Sequence, residues 1–587
     1  MTEPGALTTD LGGEPEDRGE LHVDWDVGIP MDDGVVLRCD VFRPVGEHDP
    51  MPVLLTHGPY AKGLAFQDGF PRQWGHMARE APGALAGSSN AYQNWETPDP
   101  EKWVPDGYVC VRVDSRGVGS SPGVLDVWSR QETEDMYRCI EWASAQAWCS
   151  GMVGLCGISY YAMNQWQVAG LRPPHLAAMA PWEGSSDFYR ELFTHGGMRS
   201  HFVSRWYPRQ VLSVQHGRGD RVPPNPFTGR PVAGQLTMSD EDLAVNRRDI
   251  AADAAAHPFD DAWHRERTPD LEQIEVPILS AGNWGGAGLH LRGNFEGFRR
   301  ASSSQKWLEV HGGTHFTEYY TDYGRLLQKR FFDHFLKEKD NGWEKEPRVR
   351  LQVRHADGRF VERQEQEWPL ARTEWTRWYL DPGLMELRRD APAAGSATFR
   401  ATGEGLTFWL PAEDRPVELT GPSSATLWVS SSTVDADIFV IYRLFDPDGE
   451  EIVFQGANDP HAPIGQGWLR ASHREIDDAC SLPYRPHHRH DRAVPLEPGR
   501  ATALEVEVWP TSIVVLPGYR LAVTVRGTDY HYGGDISEEY RAMDYFGCAH
   551  FVHQDPADRP AVVFDNEITV HAGADCPSSL LLPVIPS

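Results

Sequence analysis

The chain has 587 residues, too many for one hydrophobic core, so two or three domains are expected. Its composition is globular, 40% hydrophobic and 24% charged, with 45 prolines and 21 tryptophans, which suits a loop-rich protein with much β structure. A formal net charge of −30 argues against a general nucleic-acid or anionic-membrane surface and is read as solubility.

Residues 1–20 are acidic and rich in Gly, Pro and Thr, without the basic start and apolar core of a signal peptide, and read as a flexible tail. No apolar run approaches the length of a membrane span. Eight cysteines are scattered with no CxxC pair, so reduced, mostly buried thiols in a cytoplasmic protein are expected.

From Val23 the pattern is hairpin-like, with Asp33-Gly34 as the turn between alternating strands. A short buried strand then ends at Thr56-His57-Gly58, and another ends at Asp114. Glu132 to Gln146 is helix-like, with Met136, Cys139, Ile140 and Ala143 on one face. M-V-G-L-C-G leads into Ser159 and a second helical stretch. Later strands end near Trp182, Asn283 and His311. Strands alternating with helices imply a mainly parallel sheet, whose ligands bind at the C-terminal strand ends. Four of those ends carry a reactive residue: Tyr60, Ser159, Glu183 and His315.

Residues 185–270 interrupt the alternation with charged helical segments, as a cap over the active face does. The expected organisation is an α/β core at 21–184 and 271–342, a helical cap at 185–270, and an all-β sandwich or jelly roll at 343–587.

Serine becomes a good nucleophile when a base takes its proton, and hydrolases place it on a strained strand-to-helix turn with a histidine from a later strand end. Gly157-Ile158-Ser159 fits such an elbow, although Tyr161 stands where G-x-S-x-G has its second glycine. His315, in the Gly-rich loop H-G-G-T-H, is the expected base, and His311, nearer the strand, the competing one. The H-x-x-x-H spacing is not read as a metal site, because its glycines oppose a helix. The P-H-H-R-H-D run (486–491) reads as a solvated loop, and D-P-D-G-E-E (446–451) as a hairpin turn. No metal or other cofactor is expected.

M-D-D-G-V-V-L-R-C-D-V-F-R-P, the H-G-P-Y loop, V-D-S-R-G-V-G-S-S-P-G, W-C-S-G-M-V-G-L-C-G-I-S-Y-Y and the later G-W-L-R-A-S-H-R and L-P-G-Y-R-L-A-V occur in order. Together they resemble the cocaine esterase, glutaryl-acylase and α-amino-acid ester hydrolase group, related to X-Pro dipeptidyl-peptidases. The resemblance covers the chain from about residue 22 and implies an α/β-hydrolase core, a helical cap and a C-terminal jelly roll. It also implies an elbow of the form G-x-S-Y-x-G, with Ala162 in place of the last glycine. Ser159 is then the nucleophile and His315 the base, with an oxyanion hole from the Tyr60 hydroxyl and the Tyr160 backbone N–H.

The family's aspartate is missing: the turn that should carry it reads A-G-N-W-G-G-A-G. Asn283 is an alternative orienter of the histidine, but Glu183, directly after its strand, is the expected acid. Trp182 and Trp284 are expected in an acyl pocket, with Phe188, Tyr189 and Phe193 from the cap. The expected substrate is a small ester or amide. The competing readings are an X-Pro exopeptidase, in which Glu191 holds a free amino group, and a non-catalytic carbohydrate-binding relative. No nucleic-acid or membrane partner is expected, and a homo-oligomer is compatible with the chain.

Overall fold

The computed structural model describes residues 15–586. Its first part is one eleven-stranded sheet. The strands are β1 (Glu16–Arg18), β2 (Leu21–Pro30), β3 (Val36–Pro44), β4 (Met51–Gly58), β5 (Val109–Asp114), β6 (Cys149–Ile158), β7 (Leu176–Trp182), β8 (Ile278–Asn283), β9 (Lys306–His311), β10 (Val349–Arg354) and β11 (Phe360–Glu365). Across the sheet they run β1-β2-β3-β5-β4-β6-β7-β8-β9-β10-β11. Neighbours from β5 to β10 are parallel, and the pairs outside them are antiparallel. The sheet is therefore mixed, with a parallel centre, and it runs past residue 342, where the sequence suggests that the β domain begins.

The central strands are buried on both faces, as continuous runs such as Val53-Leu54-Leu55 require. Helix α1 (Arg130–Ser144) covers one face with Met136, Cys139, Ile140 and Ala143, all buried. It starts two residues before the expected Glu132, because the Ser129 hydroxyl accepts the Glu132 N–H at 3.2 Å. Helices α2 (Tyr160–Ala169), α3 (Leu291–Arg300) and α4 (Asp322–Lys337) complete the layers. Asp33-Gly34 turns β2 into β3, with Gly34 at φ 85°. Of the expected tail, residues 1–14 lie outside the described residues, while Glu16–Arg18 pairs with Leu21–Val23.

Between β7 and β8 the chain leaves the sheet in short helical turns, Phe188–Phe193 and Phe202–Trp206 among them. The charged run after Ser239 forms two helices, Asp240–Val245 and Ile250–Ala256. Asn246 ends the first, and the Asp249 carboxylate accepts the Ala252 N–H at 3.1 Å to start the second.

From Glu374 the chain is nearly all β, and its sheet closes on itself where Val417–Ser431 pairs with Ser579–Ile585. Asp446 caps a hairpin turn by accepting the Asp448 and Glu450 N–H groups at 2.9 Å. The 486–491 run departs from expectation: His488 and His490 are buried, not solvated. His490 packs on Tyr189, and its Nδ1 lies 3.0 Å from His473 Nδ1, because the 188–193 turn covers this loop. Among the described residues no helix is long and apolar enough to cross a membrane.

A buried charge cluster fixes the loop after β4. Lys62 Nζ lies 2.5 Å from Asp26 Oδ1 and 2.7 Å from Asp40 Oδ1. The Lys62 N–H donates to Asp114 Oδ1 at 2.7 Å. Lys62→Met strands the buried Asp40 carboxylate and leaves Asp26 with Arg230 at 3.4 Å, and a loss of about 3–5 kcal/mol in urea unfolding is expected. A loss below about 1 kcal/mol, the range of an exposed ion pair, would contradict that role.

Candidate active site

Ser159 sits at the β6–α2 junction with φ 59° and ψ −115°, a strained conformation for a residue with a side chain. Neighbouring strand ends hold it there. Its N–H donates to Trp182 O at 3.0 Å and Glu183 O at 3.1 Å, and the Ile158 N–H donates to Glu96 O at 3.0 Å. Gly157, at φ 130°, has no room for a side chain: a Cβ would come within 2.5 Å of Tyr161 Cβ. The missing second glycine is compensated across the sheet. A Cβ on Gly184 would lie 2.7 Å from Ala162 Cβ, so Gly184 makes the space that Ala162 fills.

His315 and Glu183 meet. The His315 Nδ1–H donates to Glu183 Oε2 at 2.8 Å. Glu183, fully buried at φ 52°, also accepts from His311 Nε2 at 3.1 Å and Asn283 Nδ2 at 3.2 Å. Burial pushes its carboxyl up, but the His315 charge and the two histidine hydrogen bonds outweigh burial and hold it at about 2. Burial likewise opposes charge on His315, but Glu183 and Glu96 overcome it and raise the imidazole to about 10.

The expected Ser159–His315 hydrogen bond is not made. His315 directs Nε2 to Glu96 Oε1 at 3.1 Å, and Ser159 Oγ lies 3.0 Å from His290 Nε2. The His290 and His315 rings stack at 5.2 Å. His290 Nδ1 accepts the Ser185 backbone N–H at 3.1 Å, so a neutral His290 carries its proton on Nε2 and donates it to Ser159. Burial and the nearby His315 charge keep His290 neutral, well below the ordinary histidine value. His290 thus orients the serine and has no lone pair on Nε2 with which to take its proton.

On the other side, the Tyr60 hydroxyl accepts the Trp206 Nε1–H at 3.0 Å, which leaves its own proton free to point elsewhere. Burial and nearby Glu96 hold this phenol well above its ordinary value, so it stays a donor. The Tyr160 N–H opens α2, where first-turn N–H groups have no partner within the helix. Its side chain turns away, donating to Glu132 Oε2 at 2.5 Å and stacking on Trp128 at 5.1 Å.

Other sequence candidates have different surroundings. Asn283 does not touch His315; it steadies Glu183 and caps Gly285, whose N–H it accepts at 2.8 Å. His311 is spent on Glu309 at 2.7 Å and on Glu183, so it is a support. Trp182 and Trp284 are both buried. Trp182 is fully buried, stacked on His311 at 5.0 Å, and Trp284 donates to Gln352 O at 2.8 Å while packing on Phe295. The cap aromatics Phe188 and Phe193 pack on Trp128, and Tyr189 donates to Pro258 O at 2.9 Å. Sequence reasoning missed Glu96, His290 and Trp206. Glu96 and His290 lie on irregular stretches and Trp206 ends the short helix Phe202–Trp206, so no period marks them, and only the aromatic-acid pair Trp95-Glu96 resembles Trp182-Glu183.

A pocket of about 380 Å³ opens beside Tyr60, lined also by Leu64, Phe70, Arg72 and Arg209. The C-terminal domain reaches the site too. Ala457 O accepts the His315 N–H at 3.0 Å, and the Ala457 N–H donates to Gly285 O at 2.8 Å.

Residues 33–317 match the family model of the X-Pro dipeptidyl-peptidase (S15 family), and residues 341–580 that of the X-Pro dipeptidyl-peptidase C-terminal non-catalytic domain. The chain is 26% identical to the cocaine esterase of Rhodococcus sp., over 97% of this chain and 99% of that one. It is similar to the crystal structure of a CocE/NonD family hydrolase from Staphylococcus aureus, at 31% identity and TM-score 0.81, over 96% of this chain and 94% of that one. It shares its fold with an α-amino acid ester hydrolase at 15% identity and TM-score 0.65, over 99% and 100% of the two chains.

The Glu183–His315 pair makes stability depend on pH. The raised histidine contributes fully below its ordinary 6.5, and its contribution is lost as pH rises through about 10. The depressed carboxylate contributes above its ordinary 4.5, and its contribution is lost as pH falls through about 2. The destabilisation by Glu183→Gln is therefore expected to peak between pH 4.5 and 6.5 and to shrink on either side, read from urea midpoints across pH. A penalty independent of pH would contradict the pairing.

Proposed function

Because the chain belongs to the X-Pro dipeptidyl-peptidase (S15) family of serine hydrolases, we propose that it cleaves carboxylic esters, and amides, of small acyl substrates through an acyl-enzyme on Ser159. Ser159 Oγ attacks the carbonyl carbon, and His315 Nε2 takes the hydroxyl proton. The Tyr60 hydroxyl and the Tyr160 N–H hold the oxyanion. His315 returns the proton to the leaving alcohol or amine, and water, deprotonated by the same nitrogen, releases the acid. Glu183 keeps Nδ1 protonated and stabilises the imidazolium. In this reading the 185–270 insertion is the cap, the C-terminal barrel is a jelly roll that steadies His315, and the eight free thiols fit a cytoplasmic setting.

The observation that carries the reading is the strained turn at Ser159, with Oγ held by a histidine that stacks on the His315–Glu183 pair. That pair removes the support that a missing aspartate lent to a non-catalytic relative. The exopeptidase reading keeps the family's support but loses its expected anchor. Glu191 is fully buried, bound to Arg292 at 2.8 Å and accepting the Ser186 N–H at 2.7 Å.

A fluorophosphonate is expected to label the wild type and not Ser159→Ala; a folded wild type that resists labelling overturns the proposal. His315→Ala is expected to lower ester turnover by about 10²–10⁴, and Tyr60→Phe by about 10²–10³. Glu183→Gln is expected to cost orders of magnitude with the fold intact. If Asn283→Ala alone does so, Glu183 is not the acid. Faster hydrolysis of N-acylated than of free X-Pro amides would exclude the exopeptidase.

A further inference from the structure

Glu96 belongs to no element of the expected triad, yet it contacts the nitrogen on which the reaction turns. Its Oε1 lies 3.1 Å from His315 Nε2, and its Oε2 is buried. The residue is 2% exposed and sits at φ 63°, so its backbone is strained as those of Ser159 and Glu183 are. Both flanks are fixed. Glu96 O accepts the Ile158 N–H, next to the nucleophile, and Asn94 Nδ2 donates to Lys62 O at 2.6 Å. Trp95 stacks on Phe70 at 4.3 Å. The carboxylate is held in place against the imidazole.

The groups facing it are His315 from the loop after β9, Glu183 from the end of β7, Tyr60 from the loop after β4, Tyr161 from α2 and Tyr320 from the turn before α4. His315 is the cation among them, and its other neighbours are Glu183 and neutral His290. An imidazole with a carboxylate on each nitrogen keeps both protons, and its Nε2 then has no lone pair for a serine proton.

We propose that Glu96 is a positioning residue for the base: in the resting enzyme it occupies His315 Nε2, in competition with Ser159, and it sets the pH at which that nitrogen becomes free. This inference rests on the assignment of Ser159 and His315 as nucleophile and base. Burial pushes the Glu96 carboxyl up to about 7, while Glu183 and Glu96 raise the imidazole to about 10, so above neutrality the carboxylate is charged and the ring still keeps its Nε2 proton. Removing the Glu96 charge lowers the pH at which the ring gives up its Nε2 proton, and the acid limb of the reaction moves down.

The test is the rate of fluorophosphonate labelling of Ser159, measured from about pH 5 to about pH 11, spanning the ordinary and the raised histidine ranges, for wild type, Glu96→Gln and Glu96→Asp. The Gln variant is expected to shift the acid limb down by about one to three pH units, so that at the foot of the wild-type limb it labels about tenfold faster or more. The Asp variant keeps the charge, suits a positive φ better than glutamate, and draws the oxygen back, so its limb is expected between the two. A Gln profile that superimposes on wild type, or that falls at every pH with an unmoved limb, overturns the proposal. Were the Gln variant not to fold, an Asp limb coincident with wild type does the same. Wild type unlabelled at every pH removes the serine-hydrolase reading and this inference with it. Wild type labelled normally with unmoved variant limbs removes this inference alone.

Discussion

Glu183 accepts hydrogen bonds from His315, His311 and Asn283 while fully out of solvent. A buried carboxylate is costly unless it is paired and hydrogen-bonded, and here its partners come from the ends of β8 and β9. Its own carbonyl accepts the Ser159 N–H, and its N–H donates to Ala281 O at 2.7 Å. One strained residue thereby sets the Ser159 backbone, the His315 tautomer and the spacing of three parallel strands. The family's usual turn, here A-G-N-W-G-G, contributes Asn283, which acts one step back by steadying Glu183.

His290 contacts the serine and His315 stacks on His290, and their hydrogen bonds separate their roles. His290 accepts a backbone N–H on Nδ1 and can only donate to Ser159. His315 donates Nδ1–H to Glu183, and its Nε2 faces the Glu96 carboxylate. The C-terminal domain takes part through Ala457, which holds the His315 N–H. His315 is therefore positioned by both halves of the chain.

Much of this was legible before the fold. Parallel strands deliver their ends to one edge, so Tyr60, Ser159, Glu183 and His315 converge whatever the details of packing. Asp33-Gly34 and the face of α1 were equally legible, because turn chemistry and helical spacing are local. The burial of Trp182 and Trp284 is not legible in the sequence, because an aromatic after a strand can pack inward or line a cavity and only the neighbouring layers decide which. The histidines at 486–491 looked solvated until the 188–193 turn was seen to cover them. Glu96 and His290 lie in irregular segments, where no period or spacing points to a partner far along the chain.

The most direct measurement of the triad is a crystal structure of the enzyme with a phosphonate ester bound covalently. The expected result is a bond from Ser159 Oγ to phosphorus, with His315 Nε2 turned from Glu96 to the leaving-group oxygen position and the Tyr60 hydroxyl on the phosphoryl oxygen. An adduct in which His315 stays on Glu96 while His290 Nε2 faces the leaving-group position would contradict the assignment of His315 as the base.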